Sequence, residues 1–166
     1  MNTSDIIIIG AGPGGYETAV EAVRMGLSVT LIERGSLGGT CLNRGCIPTK
    51  CLCRSAEVVR TVAGASAYGV DISGVSFDYA AAVARMRSVV STLREGIATL
   101  LKGVNLVQGT ARFISSSEVE VEDDGKVIGR YTAPRIIIAT GSAPSVLPVE
   151  GTGVAISGGI PLAMES

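Results

Sequence analysis

The sequence predicts an α/β fold: a parallel sheet with flanking helices, joined to a small antiparallel meander. Three observations predict it. Residues 6–9 are an unbroken isoleucine run without polar alternation, as a central strand buried on both faces requires. A strand, a helix and a second strand follow one another within about thirty residues, the length of a βαβ unit with its right-handed crossover. Further on, short strand-like segments flank Asp124-Gly125, a dipeptide suited to a tight hairpin turn.

Taken in order, the isoleucine run ends at Gly10, and residues 14–25 read as a helix. Ala19, Val20 and Val23 fall on its inward side, Glu17, Glu21 and Arg24 on its outward side, and Gly26 suits the left-handed position after its end. Residues 28–33 are the second strand, and a loop over residues 35–40 leads to a cysteine-rich segment. A helix is expected from just after Pro48 to about residue 63. The clearest helix spans residues 78–102, where Met86, Val90, Leu93, Ile97 and Leu100 recur at three- and four-residue intervals before Gly103. Residues 104–107 form a strand, residues 111–114, 118–122 and 127–131 the meander, and residues 136–139 another buried strand. Beyond Gly141, prolines and glycines predict an irregular tail.

Composition narrows the function. Hydrophobic residues make up 46% of the 166 and charged residues only 17%, against roughly 25% charged in an ordinary soluble domain. Some apolar surface is therefore expected to be covered by self-association or in a homodimer. The net charge is −1, from 14 basic and 15 acidic residues, which leaves no basic stripe for a nucleic acid. The apolar stretch near the start is far shorter than a signal-peptide core or the ~20 residues of a membrane span. No membrane partner and a cytoplasmic location are the expectation. Four cysteines without an export signal point to redox chemistry or packing.

Gly10-Ala11-Gly12-Pro13-Gly14-Gly15 fits the GxGxxG pattern of a Rossmann-like nucleotide-binding unit and lies between a buried strand and a helix. Gly10 permits the tight turn, Gly12 lets the backbone approach a pyrophosphate, and Gly15 lets the helix pack close to the sheet. The free N–H groups and dipole of the helix start face the anion. Glu33, at the end of the second strand, is placed to accept hydrogen bonds from ribose hydroxyls. This motif leaves open whether the nucleotide is FAD or NAD.

The segment Gly38-Gly39-Thr40-Cys41-Leu42-Asn43-Arg44-Gly45-Cys46-Ile47-Pro48-Thr49-Lys50 resembles the redox-active signature of the pyridine nucleotide-disulfide oxidoreductases. Its wording is most similar to that of the dihydrolipoamide dehydrogenases, and glutathione and mercuric reductases carry similar segments. Gly109-Thr110-Ala111 and Ile138-Ala139-Thr140-Gly141-Ser142-Ala143-Pro144 resemble later flavin-domain motifs of the family, so the likeness covers essentially the whole chain. Without it, a Cys-x4-Cys pair fits reduced, inert cysteines better, and an NAD-binding domain with incidental cysteines or a flavin-free thiol-disulfide exchange module stays open.

The resemblance implies that FAD is held by Gly10, Gly12, Pro13, Gly14, Gly15, Glu33, Arg34, Gly39, Thr40, Lys50, Gly109, Thr110, Ala111, Ala139, Thr140, Gly141 and Ser142. It makes Cys41, Cys46 and Lys50 catalytic: Cys41 exchanges with lipoamide or a lipoyl-bearing protein, Cys46 is the flavin-side thiolate, and FAD passes electrons to NAD. A Cys41–Cys46 disulfide, so implied, cannot span a regular helix. There, Cα atoms five residues apart are about 8.7 Å apart, beyond the ~4.4–6.8 Å of a disulfide. A distorted turn across residues 41–46 is therefore expected, aided by Gly45 and Pro48, with regular helix starting near Pro48. Cys46 then lies near a helix start whose dipole favours a thiolate, and Lys50 lies four residues on. Cys51 and Cys53 are expected to serve packing, and no metal site is expected, because the spacing is not that of paired ligands and the chain has no histidine.

The family also has a second glycine motif for NAD, a histidine base from a C-terminal domain, and a late segment that completes the flavin domain. None of these is in the 166 residues. The expectation is an incomplete FAD domain over residues 1–143, with the redox segment at 38–50, followed by a tail at 144–166 leading toward an absent NAD domain. Such a truncated chain is expected to be inactive.

Overall fold

The computed structural model describes residues 2–143, so the tail expected over residues 144–166 lies outside the described residues. The strands are β1 (Asn2–Thr3), β2 (Ile6–Ile9), β3 (Val29–Glu33), β4 (Asn105–Gln108), β5 (Thr110–Phe113), β6 (Glu118–Asp123), β7 (Lys126–Thr132) and β8 (Ile136–Ile138). The helices are α1 (Pro13–Arg24), α2 (Gly39–Arg44), α3 (Cys46–Ala63) and α4 (Tyr79–Leu100), with one 3₁₀ turn at Ala65–Tyr68. No helix among the described residues is long and apolar enough to cross a membrane. The described residues divide into two compact units: one holds those up to Thr40 and those from Arg94 to Ala143, the other is Cys41–Leu93.

In the first unit, β4, β3, β2 and β8 lie side by side in that order, all parallel. Strand β2 is wholly buried, which explains why four isoleucines occur there without alternation. A second sheet runs β1-β7-β6-β5, antiparallel among β5, β6 and β7. Its hairpin closes through Asp124 and Gly125, both at positive φ (47° and 73°), as a primed turn demands. Ile7, Ile9, Ile32 and Val107 of the parallel sheet pack with Val119, Val121 and Tyr131 of the meander in one buried cluster. Alternation puts Ile6 and Ile8 on the opposite face, and α1 packs against β2 and β3.

Three expectations need correction here. The contact face of α1 is Gly15, Ala19 and Ala22, with Val20 and Val23 only half-buried. The smallest side chains take the line of closest approach to the sheet, and the valines flank it. Strand β8 is not buried, since it lies at the sheet edge and Ile138 is 64% exposed. Leu93 and Leu100 of α4 are exposed although they share the helical period, while Ala82, Val83 and Leu101 are buried. Periodicity marks a stripe but not how much of it is covered. Neither β1 nor the 3₁₀ turn was expected, both being too short to carry a pattern.

In the second unit, Cys51 of α3 packs with Val83 and Met86 of α4, beside Ile47, Leu52 and Val89. Cys51 is thus a packing residue as expected. Cys53 is exposed instead, because two residues along a helix is more than half a turn and carries it off the buried face. Asp78 starts α4: its Oδ1 accepts the Ala81 N–H at 3.1 Å and its carbonyl accepts the Ala82 N–H at 3.2 Å.

Ahead of β2 and β3, the Asp5 carboxylate accepts hydrogen bonds from the Ser28 hydroxyl (2.6 Å) and the Ser28 N–H (2.8 Å). The hydroxyl chiefly, and then the N–H, hold the Asp5 carboxyl below the usual aspartate range. A lowered folded value means that this contribution to stability is complete above the unfolded aspartate range and disappears as pH falls through the folded value. NMR titration is expected to give Asp5 a low midpoint that rises in Ser28→Ala; an unmoved midpoint would refute the assignment. In chemical denaturation Ile8→Ala should cost about 2–5 kcal/mol, whereas Leu100→Ala should stay within about 0.5 kcal/mol.

Candidate functional site

The parallel sheet places several chain reversals at one edge. From β2 the chain moves outward through β3 to β4 and later returns to the other side of β2 as β8. The C-terminal ends of such strands, at the point where the order reverses, form the crevice in which open α/β sheets bind ligands.

At the end of β2, Gly10 takes φ 102°, and its N–H donates to the Ile32 carbonyl at 2.7 Å. A side chain there would strike the Ala139 carbonyl, and one on Gly15 would strike the Gly10 carbonyl. These positions need glycine for contact as well as for turning. Gly12 and Gly39 approach each other similarly: a Cβ on Gly39, itself at φ 64°, would lie 2.8 Å from the Gly12 Cα. The Gly38 N–H donates to the Ala11 carbonyl at 2.9 Å and ties the two loops together. Pro13 opens α1, Gly12 caps it without any side-chain cap hydrogen bond, and no acid occupies its first turn. Pro13 and Gly14 are exposed at that end. Within the first turn, no side chain of the helix itself neutralises its electropositive start.

Glu33 ends β3 and is the polar centre of the crevice. One carboxylate oxygen accepts the Ala11 N–H at 2.6 Å and the other accepts the Gly35 N–H at 2.7 Å. Each oxygen has a further lone pair, so the carboxylate is oriented by the protein and can still accept from a ligand hydroxyl. The Glu33 carbonyl accepts the Gly109 N–H at 2.9 Å, and Gln108 Nε2 donates to the Gly35 carbonyl at 3.1 Å.

A cavity of about 380 Å³ lies over these strand ends, within the range of small-molecule sites. Its walls bring together Gly10, Glu33, Arg34, Gly109, Thr110, Ala111, Thr140, Gly141 and Ser142. All nine were candidates from sequence. Ile9, Ile32 and Ala143 also line it and were missed. The two isoleucines had a readable signal, since each is among the last apolar residues of its strand. Gly12, Pro13, Gly14, Gly15, Gly39 and Thr40 shape or adjoin the glycine turn without lining the cavity. Ala139 lies behind that turn, its N–H donating to the Ile9 carbonyl at 2.8 Å.

In the second unit, Cys41 and Cys46 form a disulfide with Cα atoms 4.7 Å apart. The necessary break in the helix falls at Gly45 (φ −132°, ψ −104°). It is narrower than the distorted turn expected over residues 41–46. Cys41 already belongs to α2, and α3 starts at Cys46 instead of near Pro48. Pro48 is tolerated because it falls within the first turn, where N–H groups have no partner inside the helix. Cys46 is thus the first residue of α3, Lys50 lies one turn on, and both cysteines and Lys50 are exposed. The N-cap Gly45 offers no side-chain cap bond, which leaves the helix start free to stabilise negative charge on Cys46.

The family described as pyridine nucleotide-disulphide oxidoreductase matches residues 4–160. Dihydrolipoyl dehydrogenases of Chlamydia muridarum and Chlamydia trachomatis are 44% and 41% identical to the chain over 146 and 164 residues, covering 87% and 98% of it. They are covered to 31% and 33% of their own lengths, so the chain spans about a third of these curated relatives. Among solved structures, the HOCl-induced flavoprotein disulfide reductase RclA of Escherichia coli, determined as a Cu(II) complex, aligns with TM-score 0.72 at 29% identity. That alignment covers 94% of this chain and 32% of RclA.

Gly15→Ala should destabilise the fold by about 1–3 kcal/mol, because backbone and not a movable side chain opposes the added methyl. Thiol titration of the oxidised protein should find Cys53 reactive in the native state, Cys51 additionally on denaturation, and all four cysteines after reduction. Four reactive thiols in the unreduced, denatured protein would exclude the disulfide.

Proposed function

The chain belongs to the pyridine nucleotide-disulphide oxidoreductase family, and on that premise we propose that it is the FAD-holding, disulfide-bearing part of a dihydrolipoamide dehydrogenase. The observation that carries this reading is the Cys41–Cys46 disulfide at the start of α3, joined in one chain with a glycine-walled cavity over parallel strand ends. The residues present fit FAD. Side chains at Gly10 or Gly15 would collide with backbone that shapes the turn, the start of α1 is open to a pyrophosphate, and Glu33 keeps acceptor capacity for ribose hydroxyls. Arg34, Thr110, Ala111, Thr140, Gly141 and Ser142 would complete the cofactor's surroundings, with Gly39, Thr40 and Lys50 contributing from the redox segment.

The protein's own chemistry is thiol-disulfide exchange. A thiolate of dihydrolipoamide attacks the Cys41 sulfur, the Cys41–Cys46 bond breaks, and the electron pair leaves with Cys46 as a thiolate. The second substrate sulfur, once deprotonated, attacks the first, releases Cys41 and closes the lipoamide disulfide. The substrate has then lost two electrons and two protons, and the protein disulfide has gained the electrons. The start of α3 makes Cys46 a good leaving group, and the positive charge of Lys50 acts in the same direction. FAD, when bound, supplies the two-electron transfer from this dithiol to NAD. A lipoyl-bearing protein as substrate, a homodimer and a cytoplasmic setting belong to the same reading. In the family the base that completes turnover is a histidine, a residue type that does not occur in the 166 residues.

Two measurements test the proposal. The purified protein is expected to bind FAD, and Glu33→Ala should weaken binding about ten- to a hundredfold, the loss of hydrogen bonds to a charged group. Dihydrolipoamide should reduce the Cys41–Cys46 disulfide faster than glutathione does, and Cys46→Ser should abolish that reduction without releasing flavin. Absence of flavin binding, or reduction by glutathione at an equal rate, would contradict it.

A further inference from the structure

The loop after β3 must be held still if it is to present Glu33 and Arg34 to a nucleotide, yet it contains Gly35, which restrains the backbone least. Two consecutive residues at the junction of β4 and β5 hold the end of β3 and the loop that follows it. The Gly109 N–H donates to the Glu33 carbonyl at 2.9 Å, and the Gln108 side-chain amide donates to the Gly35 carbonyl at 3.1 Å. On the other side, the Glu33 carboxylate takes the Gly35 N–H at 2.7 Å and the Ala11 N–H at 2.6 Å.

The peptide units around Gly35 are thus held by one side chain on each side, Glu33 at the N–H and Gln108 at the carbonyl. The junction can serve as an anchor because it is rigid. Gly109 takes φ 146°, and a Cβ there would meet Val121 Cγ1 at 2.6 Å and the Glu122 carbonyl at 2.8 Å, so this backbone path is set by the meander. Gln108 itself does not line the cavity.

We infer that Gln108 is a positioning residue for the adenosine half of the cofactor: it fixes the Gly35 carbonyl and so the orientation in which Glu33 and Arg34 meet the ribose and adenine. This rests on the FAD reading above and deepens it. Gln108 acts only through the loop, so its effect falls on ligands that contain adenosine and leaves the flavin half untouched. Losing one neutral, exposed hydrogen bond corresponds to about three- to tenfold in affinity.

The test compares Gln108→Met, which keeps the length of the side chain and removes its donor, with the parent protein. A second variant, Gln108→Asn, keeps the amide but is one methylene short. Dissociation constants for FAD, ADP and FMN are measured by flavin fluorescence and ADP competition, alongside the thermal midpoint without nucleotide. Both variants are expected to bind FAD and ADP three- to tenfold more weakly by a common factor, with FMN affinity unchanged and the midpoint lowered by no more than a few degrees, as the loss of one exposed hydrogen bond allows. Unaltered affinity for FAD and ADP, or an equal loss for FMN, would each overturn the positioning role. A parent protein that binds neither FAD nor ADP would instead overturn the FAD reading, and this appears before any variant is compared.

Discussion

The first turn of α1 lies against the end of β2 with no room for a side chain between them, and the crevice over the strand ends depends on that contact. Gly10 faces the Ala139 carbonyl and Gly15 faces the Gly10 carbonyl, so helix start, central strand and edge strand meet through backbone alone. Such an approach brings the start of the helix to the level of the strand ends. A methyl group at either glycine would push these elements apart. The four isoleucines of β2, buried on both faces, hold the strand in the register from which the turn emerges.

Polar order in the crevice follows from that apolar frame. Glu33 is presented at the crevice because β3 is paired with β2 on one side and β4 on the other. Its carboxylate is then consumed only in part, by two backbone N–H groups from different loops. This gives an oriented acceptor with capacity left over, which is preferable to a free carboxylate for recognising hydroxyls. An unrestrained carboxylate would have to lose side-chain freedom when the ligand binds.

The redox segment obeys a different constraint. Five residues of regular helix hold two cysteines too far apart to bond, so the chain must break its helix between them, and it does so at one residue, Gly45. Confining the break to one glycine lets Cys41 remain in α2 and makes Cys46 the first residue of α3. The Cys46 sulfur therefore sits at a helix start, where peptide dipoles favour negative charge.

Much of this was legible in the residues themselves. The isoleucine run, the glycine turn, the hairpin at Asp124-Gly125 and the long periodic α4 are local patterns, and they fix local conformation through sterics and alternation. The disulfide segment was legible because its motif is specific, although the position of its helix break was not. Tertiary structure alone decided what each pattern faces: Ile138 sits at the edge of the sheet formed by the described residues, Leu93 and Leu100 lie on exposed stretches of α4, and Cys53 is exposed while Cys51 packs. It also decided that Gln108, unremarkable in sequence, reaches the Gly35 carbonyl 73 residues away. Periodicity and turn chemistry act over a few residues, whereas burial and long-range hydrogen bonds depend on which elements become neighbours, and no window of sequence contains both partners.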